Sequence, residues 1–242
     1  LVGDNGCGIE GQLEGAKRAL DGHLAANAGF LRPGSVLSVI LVTNEDDCSV
    51  SLAGRAENSP TTRNCPVGDA NAAFECFNPD YRCLARSTVC DQPLNTPGVK
   101  TNCRERPVSY LEPVDTYIRF FSLLRPASKL LVSGIYTLPS LPTGKLTVTY
   151  QTVGVTNSFE LNRGTGADAA CISATDPNVF GRPQHRLSKF TQRFKDSVEV
   201  SICDTGNYGQ ALSKVADAIQ TRLSAQCLPT VPLQVNDGGR VV

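Results

Sequence analysis

The chain contains no methionine and no excess of charge, since 23 Lys and Arg residues balance 23 Asp and Glu residues among its 242 residues. Without methionine, Leu1 cannot be a translation start, so we expect a processed or excerpted piece, with any membrane tether in the absent N-terminus. The balanced charge excludes a nucleic-acid binder that works through a broad positive field. No apolar run approaches the ~20 residues of a transmembrane helix, which excludes such a segment.

The cysteines are numerous but are not spaced for a metal. No two are separated by only two residues, and His23 and His185 are the only histidines that could join them in a zinc site. Disulfides are the better interpretation, and they indicate an extracytoplasmic location: the periplasm, the cell surface or the outside of the cell. The pairing stays open, because several connectivities fit. The ten candidates are Cys7, Cys48, Cys65, Cys76, Cys83, Cys90, Cys103, Cys171, Cys203 and Cys227.

Hydrophobic periodicity predicts helices that alternate with strands. Helical spacing occurs over 8–20, 113–124, 182–194 and 208–226. The last helix should bury one apolar stripe, formed by Leu212, Val215, Ala216, Ile219 and Leu223.

Strand-length apolar runs occupy 36–42, 129–137 and 197–203, and the first of them is continuous enough to suit a strand buried on both faces. Residues 145–153 and 155–161 predict a β-hairpin. The order of elements predicts the α/β class: a doubly wound, Rossmann-like parallel sheet with helices on both faces. We expect one domain over 1–242 that lacks its first strand.

A long segment without periodicity, 48–112, interrupts this pattern. Six prolines break it, and it is far longer than an ordinary connection, so it predicts a cysteine-rich loop insertion held together by disulfides. The insertion begins where the first visible strand ends. It could present a recognition surface, or it could only cover an exposed sheet edge.

An acidic turn follows the first strand and contains Asn44, Glu45, Asp46 and Asp47. Ligands of open α/β sheets bind beyond the carboxyl ends of the strands, and carboxylate and amide oxygens suit Mg²⁺ or Ca²⁺. The alternative is a solvated turn that caps the strand. We name these four residues as candidate ligand-binding residues.

The other motifs in the sequence give weaker indications of function. Gly6 to Gly11 match G-x-G-x-x-G, but the strand and acidic residue of a dinucleotide site are not where that site needs them. The helix at 182–194 carries Arg182, Arg186, Lys189 and Arg193 beside His185, either as a docking stripe for an anionic partner or as a solvated outer face. His23 suits a helix end. No hydrolase motif is present.

Two stretches, NGCGIEGQLEGAKRAL (5–20) and VLSVILVTNEDDCS (36–49), carry a family resemblance. The chain resembles von Willebrand factor type A (VWA) domains, and more narrowly the cysteine-rich A-like proteins that Gram-negative bacteria such as myxobacteria export. The likeness runs through most of the chain outside the insertion. It implies a Rossmann-like fold and a binding or adhesion role, often assisted by Mg²⁺ or Ca²⁺ at the top of the sheet.

The resemblance also implies where that metal would bind. The family's D-x-S-x-S motif follows a strand that this chain does not contain, Cys7 stands at the threonine position, and Asn44 stands at the aspartate position. Asn44 and Asp46 are the degenerate candidates for metal ligands, with Asp47 as a further substitute. We therefore expect no cofactor, unless missing N-terminal residues supply ligands for Mg²⁺ or Ca²⁺.

These observations predict a binding module that recognises a protein, a glycan or a surface at the carboxyl edge of the sheet. We expect the partner to contact the insertion and the turn at 44–47 rather than the basic helix. The alternatives are a metal-assisted hydrolase and Mg²⁺- or Ca²⁺-dependent ligand binding, both built at the same edge.

Overall fold

The computed structural model describes residues 10–52, 88–93, 98–106, 111–138, 146–153, 156–161, 181, 184–202 and 208–224. Within these residues four α-helices are present: α1 (Gln12–Leu20), α2 (Val114–Leu124), α3 (His185–Thr191) and α4 (Tyr208–Ser224). Each falls inside a segment that the apolar spacing predicts. Helix α1 begins later than expected, at Gln12 rather than at residue 8.

The strands form three sheets. The main sheet contains β1 (Leu37–Val42), β5 (Leu130–Tyr136) and β8 (Val198–Ser201). A second sheet pairs β2 (Thr88–Val89) with β4 (Arg104–Glu105), and a third contains β3 (Gly98–Lys100), β6 (Leu146–Val153) and β7 (Thr156–Leu161). The predicted hairpin is confirmed, because β6 and β7 pair antiparallel.

The main sheet is parallel throughout, in the order β1-β5-β8. Leu37 to Val42 pair with Leu130 to Ile135, and Ser133 to Tyr136 pair with Val198 to Ser201. Because parallel neighbours need a crossover, α2 connects β1 to β5 and α3 lies between β5 and β8. The α/β class and the parallel pairing are thus confirmed.

One face of this sheet carries the main hydrophobic core. Helices α1, α2 and α3 pack there in one layer, and the rings of Phe121, Phe190 and Phe194 meet edge to face at centroid distances of 5.4 and 5.0 Å. Leu187 and Phe190 of α3, and Phe194 just after it, are buried. The core comprises Leu13, Leu37, Val39, Leu41, Val114, Tyr117, Phe121, Leu130, Val132, Tyr136, Leu187, Phe190 and Phe194.

The other face is covered only in part. Every residue of β5 is buried, and α4 packs against β5 and β8. Strand β1 lies outside this cover: Ile40 is 44% exposed and Val42 is 62% exposed. The expectation that the first strand is buried on both faces is therefore wrong, because β1 lies at the edge of the described sheet, beyond the reach of α4.

Helix α4 buries a different face from the one expected. Leu212 and Leu223 are 59% and 51% exposed, whereas Ala211, Val215 and Arg222 are buried. The guanidinium of Arg222 donates to the main-chain oxygens of Ala127 and Lys195, and these bonds hold this face of the helix against the domain. Of the predicted apolar stripe, Val215 is buried and Ile219 is partly buried, whereas Leu212, Ala216 and Leu223 are exposed.

The insertion leaves the domain and returns to it at one place. Val50 and Leu111 form an antiparallel bridge, and the Glu112 N–H donates to the Ser49 oxygen at 2.9 Å. Cys90 and Cys103 form a disulfide beside the β2–β4 pair, and Cys48 is also disulfide-bonded, to a cysteine outside the described residues. The seven other cysteines lie outside them too, so most of the predicted disulfide set stays a prediction. No described helix is long and apolar enough to span a membrane.

Candidate binding site at the sheet edge

The acidic turn is fixed at both of its ends. The Thr43 N–H donates to the Ile135 oxygen at 3.2 Å, which continues the β1–β5 ladder, and the Cys48 N–H donates to the Glu10 oxygen at 2.6 Å. Between these bonds the four candidate residues differ in exposure. Asn44 is exposed, Glu45 and Asp46 are partly buried, and Asp47 is buried.

Asp47 caps helix α1 together with Ser49. Its Oδ1 accepts hydrogen bonds from the Leu13 N–H at 2.9 Å and from the Ser49 hydroxyl at 2.6 Å, while Ser49 Oγ accepts from the Glu14 N–H at 2.9 Å. These bonds satisfy N–H groups in the first turn of a helix that has no side-chain cap of its own at Gly11. The helix therefore begins where the distant turn can cap it, which explains the late start at Gln12.

The second oxygen of Asp47 forms a buried ion pair with Arg186. Asp47 Oδ2 accepts from Nε and Nη2 of Arg186 at 3.2 and 3.0 Å, and the two side chains are only 0% and 8% exposed. Arg186 Nη2 also donates to the Glu112 oxygen at 2.7 Å, and its Nη1 lies 3.5 Å from Glu105 Oε1. The guanidinium therefore joins the turn to the returning end of the insertion, at Glu105 and Glu112.

Asp46 caps helix α3 in the same way that Asp47 caps α1. Its Oδ1 accepts from the N–H groups of Arg186 and Leu187, each at 3.2 Å, and from the Asp47 N–H at 2.9 Å. Burial raises the pKa of the Asp46 carboxyl to about 6, although the N–H groups of Arg186 act in the opposite direction. Two neighbouring carboxylates thus hold the first turns of two different helices.

A buried polar layer lies beneath the turn, around Thr43. Gln12 Nε2 donates to Thr43 Oγ1 at 3.0 Å and to the Glu45 oxygen at 3.2 Å, and Gln184 Nε2 donates to the Thr43 oxygen at 3.1 Å. The main-chain acceptors fix the orientation of both amides, because only the NH₂ group can donate to a carbonyl. The two glutamines tie α1 and the start of α3 to the end of β1.

The chain itself covers the gap between the ends of β1 and β5. Gly181 is buried, and a Cβ on it would lie 1.7 Å from Thr137 Oγ1 and 3.5 Å from the Asn44 oxygen. Only a residue without a side chain fits there. Gly181 therefore packs between the segments that follow β1 and β5, and at this edge Asn44 is exposed, Glu45 is partly buried and Leu138 is 37% exposed.

Arg186, on the basic helix α3, points to the acidic turn and not to the solvent. Arg186 is buried, and Lys189 forms ion pairs with Glu105 and Asp115. The interpretation of a solvated basic face is therefore wrong for Arg186, although Arg193 is exposed; Arg182 lies outside the described residues. The turn and the helix belong to one network, so a substitution of Arg186 also disturbs the turn.

The two histidines lie in different surroundings. Burial lowers the pKa of His185 to about 4, so its imidazole is neutral at pH 7, and its Nε2 has no hydrogen-bond partner within the described part of the chain. His23 lies on the exposed loop after α1, where its main-chain N–H donates to Asp21 Oδ1 at 2.9 Å. Its role as a helix-end cation stays a prediction.

The turn does not fit a divalent metal. Both carboxylates already accept hydrogen bonds from N–H groups, and Asp47 Oδ2 lies 3.0 Å from a guanidinium nitrogen. A metal ligand needs free lone pairs, and a neighbouring fixed cation repels Mg²⁺ or Ca²⁺. Within the described ranges no three His, Cys, Asp or Glu side chains are grouped to hold a metal ion, and Cys7 lies outside those ranges.

Sequence reasoning missed the partners of the turn. Arg186 is 139 residues from Asp47, and Gln184 is 141 residues from Thr43. The one local signal was the residue type of Asp47 and Ser49, since Asp and Ser are typical helix-capping residues. A capping residue normally precedes its helix, but these two follow α1 in the chain, so the signal did not point to that helix. Comparison of the chain with protein-family models, curated proteins and solved structures gives no match.

Proposed function

We propose that this chain is an extracytoplasmic binding module that recognises a protein, a glycan or a surface at the carboxyl edge of its parallel sheet. The contact residues are Asn44 and Glu45, with Leu138 beside them. Asp46 and Asp47 serve this surface from below by fixing the turn. We further propose a VWA-like arrangement for the whole domain, on the resemblance of 5–20 and 36–49.

The observation that carries this proposal is the contrast within the turn. Asp46 and Asp47 are tied to α3, α1 and Arg186, whereas the Asn44 side chain is exposed at the tip. A surface that is already ordered loses little conformational entropy on binding, so rigid turns favour recognition. The same four polar residues in a loop without these hydrogen bonds would not favour a binding site, because such a loop would lose more conformational entropy on binding.

The insertion supports the same edge. Its two ends meet at the Val50–Leu111 bridge beside the turn, and Glu105 within it contacts Arg186 and Lys189. A disulfide-closed loop that starts and ends at one edge of a rigid scaffold is a common way to present a binding surface. The disulfide-bonded Cys48, Cys90 and Cys103 favour an oxidising compartment.

The test compares two double variants with the same loss of polar groups. N44A/E45A removes one amide and one carboxylate from the turn, and Q220A/D217A removes the same groups from exposed positions of α4. Labelled protein is applied to a defined glycan array and to intact Gram-negative bacteria. We expect saturable binding that N44A/E45A abolishes and Q220A/D217A retains. Binding that survives N44A/E45A, or that the α4 pair abolishes, would place recognition elsewhere.

A further inference from the structure

The oxygen atoms around the Arg186 guanidinium resemble the surroundings of a hard cation. Two carboxylates, of Asp47 and Glu105, and the main-chain oxygen of Glu112 face it, at 3.0, 3.5 and 2.7 Å. Carboxylates and carbonyl oxygens are the ligands that Ca²⁺ prefers in proteins. In this chain the positive charge among them belongs to a side chain.

We propose that Arg186 is a tethered counter-ion that takes the place of a divalent metal at this edge of the sheet. Its Nε and Nη2 both donate to Asp47 Oδ2, so the planar guanidinium is held in one orientation. Its own main-chain N–H donates to Asp46, which places the cation and its helix against the turn together.

This inference deepens the proposed function and rests on it for its biological meaning: recognition at the turn proceeds without Mg²⁺ or Ca²⁺. VWA domains, which this chain resembles, often hold such a metal at the same edge. Metal binding can be measured without knowing the ligand, so this inference can fail while the recognition proposal stands, and the converse also holds.

The variants separate charge from shape. R186K keeps the positive charge, R186M removes it and leaves an apolar side chain of similar length, and D47N/R186M removes the anion as well. Each protein is unfolded thermally in EDTA and then with Ca²⁺ or Mg²⁺ at about 10 mM. With a dissociation constant in the millimolar range of extracellular calcium sites, R186M should gain about tenfold in its ratio of folded to unfolded protein.

We expect no metal response from the unsubstituted chain, R186K or D47N/R186M, and an upward shift of the unfolding temperature with R186M alone. A shift in the unsubstituted chain that D47N abolishes would overturn the proposal, and so would a folded R186M that ignores both metals. If R186M does not fold in EDTA, refolding with Ca²⁺ is decisive. Recovery supports the proposal; failure to recover, when D47N/R186M folds, refutes it.

Discussion

The ion pair between Asp47 and Arg186 should dominate the effect of substitutions at this edge. Both side chains are almost fully buried, at 0% and 8% exposure. Removing one member leaves the other as a buried charge without its partner, which costs about 3 to 5 kcal/mol. After R186M, Asp47 still accepts hydrogen bonds from the N–H groups of Leu13 and Ser49, so we expect a cost of about 3 kcal/mol.

D47N should cost a similar amount, because it leaves the guanidinium facing Glu112 and Glu105 only. The double variant D47N/R186M removes both charges, so it should cost about 3 kcal/mol instead of the sum of about 6 kcal/mol. The surface pair Lys17–Asp21, at 3.4 Å and one helical turn apart, is the control. K17M should cost less than about 0.5 kcal/mol.

Urea unfolding followed by circular dichroism measures these free energies, since the chain has no tryptophan to report on folding by fluorescence. The expected destabilisation of R186M corresponds to a loss of roughly 6 to 12 °C in the unfolding temperature. If R186M costs no more than K17M, the buried pair does not stabilise the fold. If the double variant costs the full sum, the two charges do not interact.

Three further predictions concern other residues. Because the pKa of Asp46 is raised, its carboxyl is protonated in the folded chain but not in the unfolded chain between about pH 4 and 6, so its contribution to stability falls as the pH rises; the lowered pKa of His185 makes the contribution of His185 rise from about pH 4 to 6.5. D46N should therefore give a positive slope of stability against pH and H185Q a negative slope, and unchanged slopes would refute both pKa shifts. G181A should cost about 1 to 3 kcal/mol by overlap with Thr137, whereas G15A in the open interior of α1 should stabilise by about 0.5 to 1 kcal/mol, and equal effects in thermal unfolding would contradict the packing. Thiol titration of the denatured, unreduced chain should find no more than two free thiols among the ten cysteines, and a chain with mostly free thiols would overturn the extracytoplasmic proposal. C90S/C103S should lose about 2 to 3 kcal/mol, because its disulfide closes a 13-residue loop.

The elements of the fold follow closely from local pattern. Helix α2 and strand β5 appear within a residue or two of their predicted bounds, because apolar spacing and Pro113 define them without help from distant residues. The pairing of β6 with β7 was predicted from their proximity in the chain. The parallel order of the main sheet follows from the alternation of helices and strands.

The faces of these elements were less predictable. The apolar character of Ile40 and Val42 does not reveal that α4 covers β5 and β8 and leaves β1 open. Likewise, the buried face of α4 contains Arg222, which donates to two main-chain carbonyls, whereas Leu212 and Leu223 are exposed. Periodicity determines that an element is amphipathic, but only its neighbours decide which face is buried.

The α/β class, the parallel strands and the place of the acidic turn at the carboxyl end of β1 could be predicted from spacing along the chain. The role of the turn follows only from the folded arrangement. Asp46 caps α3, Asp47 caps α1, and Arg186 enters from 139 residues away to neutralise it. Hydrogen bonds and ion pairs depend on distance in space, and spacing along the chain carries no record of partners so far apart.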